Sequence, residues 1–436
     1  IDRAIDRLAP AQIAMLAVAS LIGVEFRIRT VADAAGLEPA VVRDAVDDLV
    51  RGQQWLDARP PVGLRDGSLD EPCAFRHSLY RHVFQQRIGT ARRVEIHRRI
   101  LASLTEARAV GAAVSPAELA SHAEAGLMPV EAVGHLAEAA QSALARLAPV
   151  EAVRHAEAGL ALLERTDIPA GEIRDELELA LSIRCGTAHR LMKGLGDPAA
   201  RQALERASLL CDRLPPTVQR AWFHGGIGGA WFTLGDYPRA RAHAERIATL
   251  AAAADNAALT VLASNLGGLA ACFEGRLADG IAMFETGLAV ATDNTDALAA
   301  IPAHLIDPVV SMHAHGACAR VLAGDVEAAR RHLDLADARS MAIDQPFARM
   351  QTAWCRCEVA AGIEDMAQLA RVQPMLEELV TTHAIGHGHG PAQWFGALLM
   401  AWRGEPGALA RLERGCDING SLGIYTGSTA VRAYGA

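Results

Sequence analysis

His383, His387 and His389, in the run His-Ala-Ile-Gly-His-Gly-His-Gly-Pro, form the cluster whose residue types and spacing best match metal ligation. Imidazoles four positions apart share a helix face, so His383 and His387 could both reach one ion only if a helix ran through Gly386. Glycine there makes an ordered site costly, and no metal centre is expected. His313-Ala-His315 and Cys355-Arg356-Cys357 each point their two ligands to different sides of a helix. The first pair reads as structural; the second forms neither a disulfide nor a zinc knuckle. Gly225-Gly226-Ile-Gly228-Gly229 has the glycine density of a phosphate cradle, but it follows no strand and sits where helices must pack closely. No Gly-x-x-x-x-Gly-Lys-Ser/Thr loop and no Gly-x-Ser-x-Gly elbow occurs, and Lys193, the one lysine, lies in Met-Lys-Gly-Leu-Gly. No nucleophile, base and orienter assemble. The chain is expected to carry no catalytic residue, no metal and no cofactor, and to be no enzyme.

Another chemistry is offered by Phe75-Arg76-His77-Ser78-Leu79-Tyr80-Arg81 and the arginine run behind it. From Arg76 to Arg99 there are seven arginines, three histidines and one glutamate. Guanidinium and imidazole donors recognise phosphate oxygens, and imidazole does so with a pKa near neutrality. The same run also suits a solvated helical face.

The elements that must position these residues are almost all helices. Of 436 residues, 51% are hydrophobic but only 4% aromatic, so the core is built of Ala, Leu and Val. Small side chains let helix axes approach, and alanine has the best helix propensity. Eight cysteines scattered through apolar helical patterns fit reduced core thiols. No secretory signal and no membrane-spanning run is present, so a cytoplasmic protein is expected.

Leu8–Ile22 predicts a helix, and Val31–Leu37 with Pro39–Val50 predicts a helix-turn-helix. Trp55–Ala58 and Ala74-Phe75 suit the two strands of a wing around a polar tip from Pro60 to Pro72, with a further helix from about Ser78. The second helix of the helix-turn-helix holds Glu38, Asp44, Asp47 and Asp48 against Arg43, which opposes phosphate contact. Residues 1–100 carry 15 arginines against 13 acids, while the remainder carries 27 bases against 38 acids. Protein docking is therefore expected of this element, with no direct DNA contact.

From about Ser115 the sequence becomes paired helices. The clearest unit runs from Ala221 to Ile247, with Gly228, Trp231, Gly235, Tyr237 and Ala240 at the small, aromatic and turn positions of a tetratricopeptide-like repeat. Weaker copies surround Leu147-Ala-Pro149, Glu274-Gly275, Ala323-Gly324-Asp325 and Arg403-Gly404. The turn glycines 235, 275, 324 and 404 are 40, 49 and 80 positions apart, longer than the common 34. The expected fold is all-α: a small winged-helix domain over 1–102, then a tetratricopeptide-like right-handed α-solenoid over 103–436.

Leu21-Ile-Gly-Val-Glu-Phe26, Ala34-Ala-Gly-Leu37, Asp48-Leu-Val50, Phe75–Arg81 and Ala91–Arg99, followed by these repeats, resemble the winged-helix region and arm of bacterial STAND-type regulatory ATPases. The resemblance implies a C-terminal piece of a larger regulator, whose nucleotide-binding domain would hold ATP or ADP and whose output domain would be DNA-binding, a cyclase or a kinase. It implies that His77, flanked by Arg76 and Arg81, matches the His of the family's Met-His-Asp motif and senses the phosphates of bound ADP. Phe75 and Ser78 depart from the simplest form of that motif. The arm would bind a protein or small-molecule inducer, and the winged helix would dock on the nucleotide domain. Two rivals are a free-standing helical scaffold that binds partner peptides and a self-contained transcription factor.

Overall fold

The computed structural model describes residue 5 and residues 8–52, 54–146, 148–301, 307–383 and 385–425. Packing divides the chain into two compact units, Ile1–Cys185 and Gly186–Ala436. Among the described residues the fold is all-α apart from short strands near the start.

The first unit opens with α1 (Pro10–Ile22), β1 (Glu25–Arg27), α2 (Ile28–Ala35) and α3 (Pro39–Arg51). Strands β2 (Leu56–Ala58), β3 (Val62–Gly63), β4 (Leu69–Asp70) and β5 (Pro72–Phe75) follow. Gly36, in the left-handed region at φ 70°, ends α2, and Pro39 stands in the first turn of α3, where its missing N–H loses nothing. β5 lies between β1 and β2 in an antiparallel sheet, with Phe26 opposite Cys73 and Leu56 opposite Phe75. Both strands and all three helices lie where the hydrophobic pattern places them. β1 and the small β3–β4 hairpin at the tip are additions, each too short to give a periodic signal. Five aromatic side chains pack together around this sheet: Phe26 to Phe75 at 5.5 Å, Trp55 to Phe84 at 5.7 Å and Trp55 to Tyr80 at 4.9 Å between ring centroids. Helices α4 (Ser78–Gln86), α5 (Thr90–Ala109), α6 (Pro116–Ala125), α7 (Pro129–Ala145) and α8 (Pro149–Arg165) continue the unit. Helix α9 (Glu172–Lys193) carries the chain into the second.

The second unit goes on with α10 (Pro198–Arg213) and then five helix pairs. The pairs are α11 (Val218–Thr233) with α12 (Tyr237–Ala254), α13 (Ala257–Phe273) with α14 (Leu277–Asp293), and α15 (Pro308–Leu322) with α16 (Val326–Ala342). They continue as α17 (Pro346–Gly362) with α18 (Met366–Thr382) and α19 (Gly386–Trp402) with α20 (Ala408–Leu422). The first helices of successive pairs touch one another directly, which is the layering of a tetratricopeptide-like solenoid. Each pair turns through a residue in the left-handed region: Gly235, Gly275, Gly324, Glu364 and Gly404. These turns lie 40, 49, 40 and 40 positions apart. The interval of 80 in the glycine pattern thus hides one turn, made by a glutamate. Aspartates at the next position cap the second helices: Asp236, Asp325 and Asp365 each accept the N–H three residues on. The long interval of 49 holds a 3-10 turn at Thr295–Ala300.

A Cβ built on Gly228 would stand 2.5 Å from Leu266 Cδ2 and 2.9 Å from His243 Cβ, so only glycine lets α11 approach α12 and α13 this closely. Ala240 and Trp231 are buried, and the Arg239 guanidinium lies 4.3 Å over the Trp231 ring. Tyr237 meets Phe232 and Phe273 at 5.6 and 5.3 Å. Gly225 faces Leu262, whereas Gly226 and Gly229 face open space, so the glycine cluster serves helix packing on one side only.

Candidate functional site

The arginine run reaches its partners first. His77 is the N-cap of α4, where its Nδ1 accepts the Leu79 N–H at 3.2 Å; the exposed ring lies 5.9 Å from Tyr80. In that tautomer Nε2 carries the proton and is a hydrogen-bond donor. Arg76 pairs with Asp57 at 2.8 Å. Arg81 donates to the Ser20 carbonyl oxygen at 2.9 Å, Arg93 to Ile88 and Gln85, and Arg98 to Gly126. Several of these arginines therefore satisfy carbonyls that helix ends leave open. Arg76 and Arg81 are engaged elsewhere, with Asp57 and with the Ser20 carbonyl, while the exposed His77 caps the start of α4. On α3, Glu38, Asp44, Asp47 and Asp48 are all exposed, and Arg43 is tied to Glu71 at 2.6 Å.

The second unit holds a groove of about 620 Å³ between the second helices α12 and α14, floored by α13. Its walls are small, with Ala244, Ala248, Ala251, Ala263 and Gly267 among the lining residues. The repeat pattern explains why the groove opens here. His224 on α11 meets His243 on α12 with Nδ1 atoms 2.8 Å apart, and His313 on α15 meets His332 on α16 at 2.9 Å. These two pairs sit at equivalent positions two repeats apart. In the repeat between them, the positions 40 residues after His224 and His243 hold Ser264 and Met283, which line the groove. The rim is charged with both signs. Arg241 reaches Glu245 at 2.9 Å and Glu274 at 3.3 Å, and Arg276 reaches Glu274 at 2.7 Å. Burial works against ionisation of Glu274, yet the bonds from Arg276 and Arg241 hold its carboxyl below the usual range.

A third cluster lies on the first helices. His315 and Cys318 on α15 face Cys355 and Glu358 on α17. The Cys318 and Cys355 sulfurs and a Glu358 carboxylate oxygen lie within 4.8 Å of one another, and Cys355 Sγ is 3.8 Å from His315 Nδ1. Cys355 is buried; His315, Cys318 and Glu358 are half-buried. Contact with Cys318 and with the His315 ring holds the Cys355 thiol below its ordinary pKa, while the Cys318 thiol is pushed well up. Burial, helped by the neighbouring Cys355, lifts the Glu358 carboxyl to about 7.

His383, His387 and His389 form no ligand set among the described residues. α18 ends at Thr382, α19 begins at Gly386, and His387 packs between Phe347 and Trp354, where burial pushes it down to about 4. Cys355 and Cys357 do diverge, Cys355 towards Cys318 and Cys357 into the α17–α19 core. Likewise His313 turns to His332 and His315 to Cys355. The cluster itself escapes a search of local motifs because its halves belong to different repeats. Cys355 follows His315 by 40 residues and Glu358 follows Cys318 by the same 40, so aligning the sequence on its own repeat superposes the two pairs.

No family model matches this chain, and no curated protein matches it. Its fold is that of tetratricopeptide-like helical-repeat proteins. A solved structure from Pyrococcus horikoshii, a signal transduction ATPase with numerous domains (STAND) protein with a tetratricopeptide repeat sensor, aligns over 94% of this chain with a TM-score of 0.51 and 10% identity. The alignment covers 56% of that protein, so this chain spans little more than half its length. A Rap protein complexed with competence and sporulation factor aligns over 79% of this chain and 92% of its own, with a TM-score of 0.45 and 11% identity. No described helix is long and apolar enough to cross a membrane.

Proposed function

We propose that the chain is the sensing and regulatory portion of a STAND-type signal transduction ATPase, with no catalysis of its own. The observation that carries this reading is the groove on α12, α13 and α14: about 620 Å³ of small-residue wall with Arg241, Glu245, Glu274 and Arg276 at its rim, placed in a repeat arm. Such a site takes a peptide or small-molecule inducer with both apolar and charged groups. Helices α1 to α4 with the β1-β5-β2 sheet act as a winged helix that docks on the nucleotide-binding domain, consistent with the acidic face of α3, which would repel nucleic acid. His77 then offers its Nε2–H to a phosphate of bound ADP while Nδ1 stays engaged by Leu79. Inducer binding to the arm would release that contact, and the output domain, DNA-binding or otherwise, would act.

The first test is the coding region upstream of Ile1. A Walker A loop followed by a Walker B aspartate is expected; a start codon with nothing before it would leave a helical scaffold that binds partner peptides. In the intact protein, His77→Ala is expected to shorten ADP retention and raise basal output, read by nucleotide content after purification and by the output assay. Wild-type ADP retention in that variant would remove His77 from the nucleotide contact.

A further inference from the structure

The thiol, imidazole and carboxylate cluster on α15 and α17 has the composition and spacing of a metal centre that holds two repeats together. His315 and Cys318 are three apart on one helix, as are Cys355 and Glu358 on the next, so each pair projects from one face. The two faces are opposed, because α15 and α17 are first helices in direct contact. In a tetrahedral zinc site with Zn–S near 2.3 Å and Zn–N near 2.0 Å, neighbouring ligand atoms lie roughly 3.3–3.8 Å apart. His315 Nδ1 and Cys355 Sγ already meet that spacing at 3.8 Å, and the two sulfurs and the Glu358 oxygen lie within 4.8 Å. His315 meets the group through Cys355, and its ring must swing towards Cys318 and Glu358 for all four to share one ion.

A second observation points the same way. Gln351, one turn before Cys355 and only 6% exposed, places its amide 3.0 Å from His315 Nε2, the ring nitrogen facing away from the thiols. Its Oε1 is buried without a hydrogen-bond partner. Turning the amide about its last bond, which exchanges two nearly identical groups, sets Oε1 to accept Nε2–H. That bond fixes the tautomer in which Nδ1 presents its lone pair to the cluster, the arrangement by which an outer amide or carboxylate orients a ligating histidine.

We propose that His315 Nδ1, Cys318 Sγ, Cys355 Sγ and Glu358 bind one Zn²⁺, with Gln351 orienting the imidazole, and that the ion ties the first helices of two successive repeats. Two sulfur ligands favour zinc over magnesium or calcium, and four protein ligands make a closed, structural site. Each thiol still protonated gives its proton to solvent on binding. The site is separate from the groove and from His77, so its success or failure leaves the proposed function untouched.

The test uses the full chain, reduced and freed of metal. One equivalent of Co²⁺ is expected to give thiolate-to-metal charge transfer with the intense visible bands of a tetrahedral ion, bleached by one equivalent of Zn²⁺. Zn²⁺ is also expected to protect the half-buried Cys318, but not Cys416, from alkylation mapped by mass spectrometry in the unmutated protein. Cys318→Ser and Cys355→Ser should abolish the charge-transfer band, and Gln351→Leu should weaken zinc binding about 10- to 100-fold with the helical signal intact. A cobalt spectrum without thiolate character overturns the proposal. So does equal alkylation of Cys318 with and without Zn²⁺, and so does a Cys318–Cys355 disulfide in protein that binds no zinc once reduced.

Discussion

At the scale of single residues, the histidines set the pH behaviour. Burial pushes His122, His224, His313 and His332 down to about 4 and His243 to about 3. Each belongs to a pair whose Nδ1 atoms are within 2.9 Å, so one ring donates to the other and both are neutral in the folded chain. In the unfolded chain the same groups titrate at about 6.5. Between pH 6.5 and about 4 the unfolded state therefore binds protons that the folded state refuses, and stability falls as pH falls through that window. Above pH 7 both states are neutral at these sites and the contribution is flat. The slope is up to about 1.4 kcal/mol per pH unit for each histidine. Urea unfolding at pH 7.5, 6 and 5 is expected to show a clear loss at 5, reduced in a His224→Gln variant. A stability independent of pH over that range would mean that the pairs stay solvated or already share a proton.

At the scale of elements, the turns decide how much of the fold could be read from sequence. Gly235, Gly275, Gly324 and Gly404 announce themselves because the left-handed conformation selects glycine. Glu364, at φ 59°, occupies the same position with no such signal, and the α17–α18 pair is invisible to a search built on glycines. What betrays it is Asp365, which caps α18 as Asp236 and Asp325 cap their helices. The metal-type cluster escapes local reading for a related reason, since His315 with Cys318 and Cys355 with Glu358 lie in successive repeats and pair only when the sequence is shifted by 40. The first three helices were legible because Gly36 and Pro39 are local signals. β1 was not, because three residues of strand carry no periodicity. Glu364→Gly removes the left-handed strain of a residue that carries a Cβ and is expected to stabilise by about 1 kcal/mol, partly offset by the freer unfolded chain. The urea midpoint should rise with the denaturant slope unchanged; a lower midpoint would show that Glu364 stabilises its turn through a contact of its side chain.

At the scale of the whole second unit, the last described helix returns to the unit's first elements. The Leu422 carbonyl accepts N–H groups from Leu195 at 2.9 Å and Gly196 at 3.3 Å, between α9 and α10, and Tyr425 N–H donates to the Thr233 carbonyl at the end of α11. Gly423, at φ 70°, makes this possible, because a Cβ there would strike the Gly196 backbone. An open array of repeats unfolds by independent fraying from its ends, since each repeat holds only its neighbours. Here the end helix is bonded to the start of the array, so fraying of α20 must also break contacts at α10 and α11. Gly423→Val combines left-handed strain with overlap against Gly196 and is expected to detach that closure while leaving the five helix pairs folded. Hydrogen exchange should then show lost protection at Leu195, Gly196 and Tyr425, and the urea transition should broaden as the ends uncouple from the middle. Gly420→Ala, whose added Cβ meets open space, is the matched control and should leave both readouts unchanged. Wild-type protection at Leu195 and Gly196 in the Gly423→Val protein would mean that the return of α20 does not couple the ends of the array.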